Sequence, residues 1–281
     1  MPSKIDLTSD QVNNIVNLYL DGYSTVKISH YFNCRYNFIR KILKQQNISI
    51  RAKDECGRKL PINKHYFDNI DCEDKAYYLG FIFSDGCNYT NNGNYQITLT
   101  LNKRDIDIVT KYSTLIYEKE QITTSKDTVT CAIYSKHMSQ VLESYGCTAR
   151  KSLTLKFPTC VPDHLLHHFM RGYFDGDGCI YLGKQNNKID GRVNIVSTMD
   201  FCKQYKEILW DKAGIKAYIH QDKRDLLRGN TITSILMVNG NKQVNKLYNF
   251  LYADANYYLE RKREKFLKIN QQLQTSTNLF L

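Results

Sequence analysis

Tyr78-Leu79-Gly80-Phe81-Ile82-Phe83-Ser84-Asp85-Gly86 returns 92 positions later as Met170-Arg171-Gly172-Tyr173-Phe174-Asp175-Gly176-Asp177-Gly178. Each copy is a largely apolar run with two small residues four apart, Gly80 and Ser84 in the first and Gly172 and Gly176 in the second. That spacing puts each pair on one helical stripe. Glycine inside a helix costs about 1 kcal/mol relative to alanine, so matched glycines are expected where two helices approach closer than the usual ~8–10 Å between axes. The two copies are the natural pair. Each copy ends in Asp-Gly, where glycine reads as an ordinary helix stop. The aspartate does not, because the C-terminal end of a helix already carries partial negative charge. In a parallel helix pair Asp85 and Asp177 arrive side by side, and two carboxylates at two negative helix ends require cations. Oxygen ligands on a hard divalent ion, with water and phosphate completing the shell, are the chemistry of magnesium at a phosphodiester. A single Asp-Gly would read as an exposed turn; two, each behind a matched stripe, read as a metal site.

Working outward, both copies are followed by Cys and then by strand-like sequence. After the first, the pattern predicts a strand at 95–101, a helix at 105–117, a strand at 129–134 and a helix at 136–145. After the second it predicts strands at 193–197, 216–220 and 232–238, with helices at 200–213 and from residue 242. Both halves thus run helix, strand pair, helix, strand pair, helix, and each closes on Arg-Lys, at Arg150-Lys151 and Arg261-Lys262. The expected fold class is α+β, with two pseudo-symmetric αββαββα repeats in one monomer. Its antiparallel sheets would be open on one face, long and wide enough for a nucleic-acid duplex.

The two nine-residue runs resemble the paired motifs of the LAGLIDADG homing endonucleases, over roughly residues 66–270. The resemblance implies that the motif helices form the interface through Gly80, Ser84, Gly172 and Gly176, and that the sheets form a saddle on the DNA major groove. It implies catalytic Mg²⁺, with Mn²⁺ as a substitute, held by Asp85 and Asp177 with help from the main chain at Ser84 and Gly176. It also implies a double-strand cut leaving short 3′ overhangs, as in intron homing. A basic residue near each scissile phosphate belongs to the family pattern. Lys151 and Lys262, at matched positions late in each repeat, are the candidates, with Lys156 or Lys136 as alternatives in the first. The first motif departs from the pattern at Phe83, where an acidic residue is frequent; the second has Asp175. Non-cleaving DNA-binding regulators and RNA-splicing maturases resemble the same family, and intron RNA would be the maturase's partner.

Residues 1–70 differ in texture. Thr8-Ser9-Asp10 starts a helix carrying Val12, Ile15, Val16, Leu18 and Tyr19, which stops at Asp21-Gly22. A second helix from about Ser24 carries Val26, Ile28 and Phe32. After a break at Asn33-Cys34 a third turns Ile39, Ile42 and Leu43 inward and Arg35, Tyr36, Asn37, Arg40, Lys41 and Lys44 outward. Three short helices with a tight turn before the last read as a helix-turn-helix of resolvase type, whose final helix fits a major groove. Basic residues continue through Arg51, Lys53, Arg58 and Lys59, a tail suited to tracking phosphates. The organisation expected is a helix-turn-helix at 1–50, a basic linker at 51–65, repeats at 66–160 and 161–270, and a tail at 271–281. On the strands, Gln96, Thr98, Thr100, Arg192 and Asn194 are the expected base and phosphate contacts.

Composition agrees with a polyanion partner. The 281 residues hold 39 Lys+Arg against 28 Asp+Glu, a net charge of +11. Residues 1–70 hold eleven of the basic and six of the acidic residues, a surplus of five, which leaves six for the longer remainder. Nine cysteines without a C-x-x-C pair fit reduced thiols better than a disulfide framework or a zinc ribbon. His164, His167 and His168 stand at helical spacing, but no HExxH pattern or nearby Cys supports zinc there. The chain shows neither an apolar leader nor a membrane-length apolar run. The expected location is the cytoplasm of a bacterial or phage-infected cell or an organellar matrix, not the secreted fraction.

Overall fold

The computed structural model describes residues 7–51, 61–91, 93–185, 188–221 and 233–278. The chain divides into two compact units, Met1–Ile62 and Asn63–Leu281. The basic-tail residues Lys53, Arg58 and Lys59 lie outside the described residues.

The first unit is three helices, α1 (Ser9–Leu20), α2 (Thr25–Tyr31) and α3 (Tyr36–Gln45). Thr8 and Gln11 form a capping box on α1, with each side chain accepting from the other's backbone N–H at 3.3 and 3.0 Å. Ser24 caps α2 through Lys27 N–H at 3.1 Å. Asn33, at φ 46°, takes the left-handed conformation that asparagine tolerates, turning the chain between α2 and α3. Ile15, Tyr19, Ile28, Ile39, Ile42 and Leu43 form the core. Two expectations change here. Val26 is exposed and Thr25 and Ser29 are buried instead, because α2 presents a different face than its apolar residues suggest. Arg51 folds back onto its own unit: its Nη2 donates to the carbonyls of Tyr19 and Tyr23 at 2.9 and 2.5 Å, and its guanidinium lies 4.0 Å from the Tyr19 ring centre. The Tyr19 carbonyl lies at the end of α1, where a cation is favoured, and that of Tyr23 in the turn that follows, so Arg51 ties down the end of α1 rather than extending a phosphate-tracking tail.

The second unit repeats one topology. Repeat one is α4 (Glu73–Ser84), β1 (Gly86–Asn91), β2 (Asn94–Asn102), α5 (Ile106–Tyr117), β3 (Thr123–Thr124), β4 (Thr128–Ile133) and α6 (Lys136–Ser144). Repeat two is α7 (Leu166–Asp177), β5 (Gly178–Gln185), β6 (Lys188–Ser197), α8 (Met199–Ala213), β7 (Tyr218–Gln221), β8 (Ser234–Asn239) and α9 (Asn241–Tyr252). The sheets share one antiparallel strand order, β1-β2-β4-β3 and β5-β6-β8-β7. A final helix, α10 (Glu260–Asn278), runs through most of the segment expected to be a tail. No helix among the described residues is long and apolar enough to cross a membrane.

α4 and α7 meet backbone to backbone. A Cβ on Gly172 would lie 1.9 Å from the Tyr77 carbonyl oxygen, one on Gly80 would lie 2.2 Å from that of Phe169, and one on Gly176 would lie 1.9 Å from Ser84 Oγ. The pairs 77 with 172 and 84 with 176 advance together, so the helices run parallel. Gly86 and Gly178 are not the left-handed helix stops that the sequence suggests, since neither has a positive φ. Each chain instead turns directly from helix to strand over the last helical turn. A Cβ would meet Ile82 Cα at 2.6 Å and the Phe174 carbonyl oxygen at 2.5 Å.

Gly172→Ala forces a methyl into the Tyr77 carbonyl and is expected to destabilise the second unit by roughly 2–3 kcal/mol or more. Denaturant unfolding of this variant beside Ser144→Ala, an exposed control, checks it; equal midpoints would exclude the close approach.

Candidate active site

The parallel interface brings the ends of α4 and α7 together. Asp85 is the residue after α4, at φ −89° and ψ −10°, and Asp177 is the last residue of α7. Both carboxylates reach solvent. The surrounding protein, ahead of repulsion from Asp177, pushes Asp85 up to about 6. Asp177 is likewise held above the ordinary carboxylate range, chiefly by its surroundings, with Lys151 and Lys262 opposing the shift.

Behind each helix end stands a buried lysine from its own repeat, while each carboxylate feels the lysine of the other repeat more strongly, Asp85 feeling Lys262 and Asp177 feeling Lys151. Lys151 Nζ donates to the Ser84 carbonyl at 3.2 Å and to that of Gly86. Lys262 Nζ donates to the carbonyls of Phe174 and Gly176 at 2.6 and 3.0 Å. An ammonium at the carbonyl end of a helix offsets its partial negative charge, which allows an aspartate to occupy that end. Burial lowers Lys262 to about 8, although Asp175, Asp85 and Asp177 favour its charged form. Lys136 and Lys156, the alternatives in the first repeat, are exposed. The main-chain carbonyls of Ser84 and Gly176 thus each accept from a lysine and retain one lone pair for a further cation or water.

Asp175 and its counterpart Phe83 divide the repeats chemically. Phe83 is buried against Phe169, with ring centres 5.4 Å apart. Asp175, fully buried, accepts from Tyr77 and Tyr252 hydroxyls at 2.9 and 2.6 Å and from Leu259 N–H at 2.9 Å. Burial still raises it above the usual carboxylate range. The last contact fixes the chain three residues before Lys262. Arg261 reaches across to Asp105 of repeat one, Nε to Oδ1 at 2.9 Å and Nη2 to Oδ2 at 3.0 Å. The fully buried Arg171 donates to Glu73 at 2.6 Å and to the Leu251 and Tyr257 carbonyls at 2.7 and 2.8 Å. Sequence reasoning missed Asp105, Glu73 and Arg171. Their one visible signal is charge inside or beside an apolar helical pattern.

The other expected contact residues fall on two surfaces. Arg35, Asn37, Arg40, Lys41 and Lys44 are all exposed on or next to α3. Gln96, Thr98 and Thr100 alternate with the core residues Ile97, Leu99 and Leu101, and Arg192 and Asn194 with Val193 and Ile195, so they share the non-core sheet faces. On those faces Thr98 pairs in register with Cys87, and Asn194 with Cys179. Tyr89, Tyr134, Tyr181 and Tyr218 stand exposed on or beside the same strands. They were not singled out from sequence, though strand alternation marks them. Arg192 is held locally by Asp190, Nη2 to Oδ2 at 2.8 Å. Of the three histidines, His164 is exposed just before α7, whereas His167 and His168, in its first turn, lie side by side with ring centres 3.8 Å apart, His167 meeting Asp254 at 3.0 Å and His168 meeting Arg171.

Two αββαββα repeats joined through glycine-bearing parallel helices, each helix ending in an aspartate backed by a lysine, define a two-motif single-chain fold. Residues 165–250 match the family model described as LAGLIDADG-like domain. No curated protein sequence matches the chain. Among solved structures, a lysine-to-alanine mutant of I-SmaMI is similar at 12% identity and a TM-score of 0.51, covering 72% of this chain and 92% of that one. A double mutant of I-SmaMI is similar at 14% identity and a TM-score of 0.50, with the same coverage of 72% and 92%. The LAGLIDADG homing endonuclease I-GzeII, solved in complex with a DNA target, aligns at 12% identity and 0.49 over 73% of this chain and 92% of that one. The second repeat thus matches a LAGLIDADG-like domain, and the second unit shares the fold of the I-SmaMI structures.

The raised Asp85 pKa sets a pH dependence. Native Asp85 holds its proton from the ordinary value of 3.8 up to about 6, where the unfolded chain has released it. Stability from this group therefore falls as pH rises through that window and is level above it. Asp85→Asn is expected to melt slightly higher than wild type at about pH 7 and equally at about pH 4, the difference being small because the carboxylate is solvent-screened. Thermal melts across that range check this, and an offset independent of pH would assign the effect to something other than titration.

Proposed function

We propose that the chain is a site-specific double-stranded DNA endonuclease of the homing type, hydrolysing phosphodiester bonds with Mg²⁺, for which Mn²⁺ substitutes. The observation that carries this reading is the pair Asp85 and Asp177 at the ends of packed parallel helices. Their donor set suits a hard divalent ion: carboxylate oxygens that reach solvent yet whose proton affinity is raised, chiefly by the surrounding protein and, for Asp85, also by Asp177. When bound there, the metal would supply charge neutralisation at the phosphate and a more acidic attacking water. Asp85 and Asp177 would hold it, with the remaining lone pairs of the Ser84 and Gly176 carbonyls turned to the same shell.

The lysines act from behind. Lys151 and Lys262 place positive charge beside the carboxylates without projecting into solvent, so they hold the helix ends and lower the cost of gathering negative charge before a phosphate arrives. The exposed polar and tyrosine side chains of the sheet faces would lie in the major groove of a duplex and read base edges and phosphates. Arg35, Asn37, Arg40, Lys41 and Lys44 of the first unit would contact DNA through α3, as in a helix-turn-helix.

Cleaved sites selected from a randomised or genomic DNA pool, with and without Mg²⁺, test the activity. Asp85→Asn/Asp177→Asn is expected to bind the selected DNA but cut it no faster than background. Persistent cutting by that double variant, or tight binding by wild type without nicking under any divalent ion, would sink the reading; the latter would make the chain a binding regulator. Cleavage should also fall at acid pH, where a proton competes with the metal for Asp85, and more metal should move that fall to lower pH. Arg40→Ala/Lys41→Ala/Lys44→Ala is expected to weaken binding and to reduce the slope of log K against log salt by roughly 2–3. An unchanged slope in filter-binding titrations would remove α3 from the DNA interface.

A further inference from the structure

Among the described residues, two clusters away from the carboxylate pair bring three metal-ligating atoms within 4.8 Å of one another: His65 with Asp68 and His137, and His167 with His168 and Asp254. They differ in what else holds them. In the second, His168 Nδ1 lies 2.9 Å from Nη1 of the buried Arg171. A guanidinium there occupies one ring lone pair and repels a cation from the other. Burial, then the Arg171 charge, hold that imidazole down at about 4.

The first cluster has a different arrangement. Asp68 gives one carboxylate oxygen to each ring, Oδ2 at 2.6 Å from His65 Nδ1 and Oδ1 at 2.6 Å from His137 Nε2. The two ring centres are 4.6 Å apart. The backbone beneath is fixed. Asp68 N–H donates to the His65 carbonyl at 3.0 Å, and the Tyr145 hydroxyl lies 3.0 Å from both the Phe67 and Asp68 carbonyls. His137 sits in the first turn of α6, which Ser135 caps through Met138 N–H at 3.2 Å. Three ligand atoms from positions up to 72 residues apart (137 − 65) are therefore preset by a hydrogen-bonded turn and a capped helix.

We propose that His65, Asp68 and His137 form a surface zinc site that clamps the segment leading into α4 to the first turn of α6. Two imidazole nitrogens and one carboxylate oxygen are a three-ligand zinc set, and water completes the tetrahedron. Mg²⁺ prefers an all-oxygen shell, so this site and the Asp85–Asp177 pair select different ions. Tetrahedral zinc with bonds of ~2.0–2.1 Å spaces its ligand atoms ~3.3 Å apart. The ligands must open from 2.6 Å, which side chains 60%, 32% and 42% exposed can do without moving the backbone. On binding, each neutral ring carries its N–H on the other nitrogen, His65 on Nε2 and His137 on Nδ1, so that the nitrogen facing Asp68 gives its lone pair to zinc.

The test uses the full, tag-free chain after chelator treatment, titrated with Zn²⁺ by calorimetry and with Co²⁺ by visible absorption. One equivalent per chain should bind, with a cobalt spectrum of nitrogen and oxygen type. The melting temperature should rise by roughly 5–10 °C at free zinc ~100-fold above Kd. Asp68→Asn and His137→Ala, both surface changes whose folding circular dichroism verifies, should each abolish binding, whereas His167→Ala should retain it. Asp85→Asn/Asp177→Asn should lose DNA cleavage yet keep zinc, which separates this proposal from the nuclease reading. Binding that survives both Asp68→Asn and His137→Ala, a thiolate charge-transfer band from Cys87 or Cys179, or no zinc uptake by wild type would each overturn it.

Discussion

Everything in the second unit depends on two helices touching through their backbones. Gly172 has no side chain because the Tyr77 carbonyl stands where its Cβ would be, and Gly80 faces Phe169 in the same way. With side chains at these points the axes would separate to the ordinary ~8–10 Å. Asp85 and Asp177 would then part, and so would the two sheets that start one residue beyond them. The position of each acidic group is set less by its own side chain than by a glycine five residues earlier, Gly80 for Asp85 and Gly172 for Asp177. Van der Waals contact over a glycine stripe is also unforgiving of volume change, which suits an interface that fixes geometry at its far end.

The pseudo-symmetry is not chemical identity. At the position where repeat one buries Phe83, repeat two buries Asp175 with three donors; where repeat one has Leu79, repeat two has Arg171. Both polar residues reach across the helix pair, Asp175 to Tyr77 and Arg171 to Glu73. An apolar glycine interface alone could slip by a turn or accept two like copies. Buried polar groups that are satisfied in only one pairing penalise those alternatives. The polar ties also bear on Lys262, because Leu259 N–H and Arg261 are held by Asp175 and Asp105 on either side of the turn that delivers it. Lys151 is delivered by a short turn after Arg150 at φ 59°. The two lysines reach equivalent carbonyls by unrelated routes.

The fold was legible where period and repetition carry it. The two motif helices, their small-residue stripes, the αββαββα order and the alternating sheet faces follow from spacings of four and two that any local window contains. Gly86 and Gly178 were legible as necessary but not for the right reason: a helix stop and a close approach both select glycine, and only the backbone angle separates them. Arg51 and Val26 were misread because a short helix has too few residues to define its buried face, and a basic residue in a basic run gives no sign of turning back. Glu73, Asp105 and Arg171 lay beyond reach, since their partners stand up to 184 residues away and charge within an apolar pattern names no partner.

The electrostatics resolve the apparent conflict in the composition. A chain with net charge +11 concentrates two carboxylates where helix ends are already negative. Two buried ammonium groups offset that cost on the inner side, each bonded to helix-end carbonyls rather than to the carboxylates themselves. Direct ion pairs would have satisfied Asp85 and Asp177 and pulled their pKa down; instead both are raised, and the oxygens stay open. Charge balance achieved through the backbone leaves the carboxylates underneutralised and accessible together. That is the condition under which a divalent cation binds a carboxylate pair in preference to a lysine.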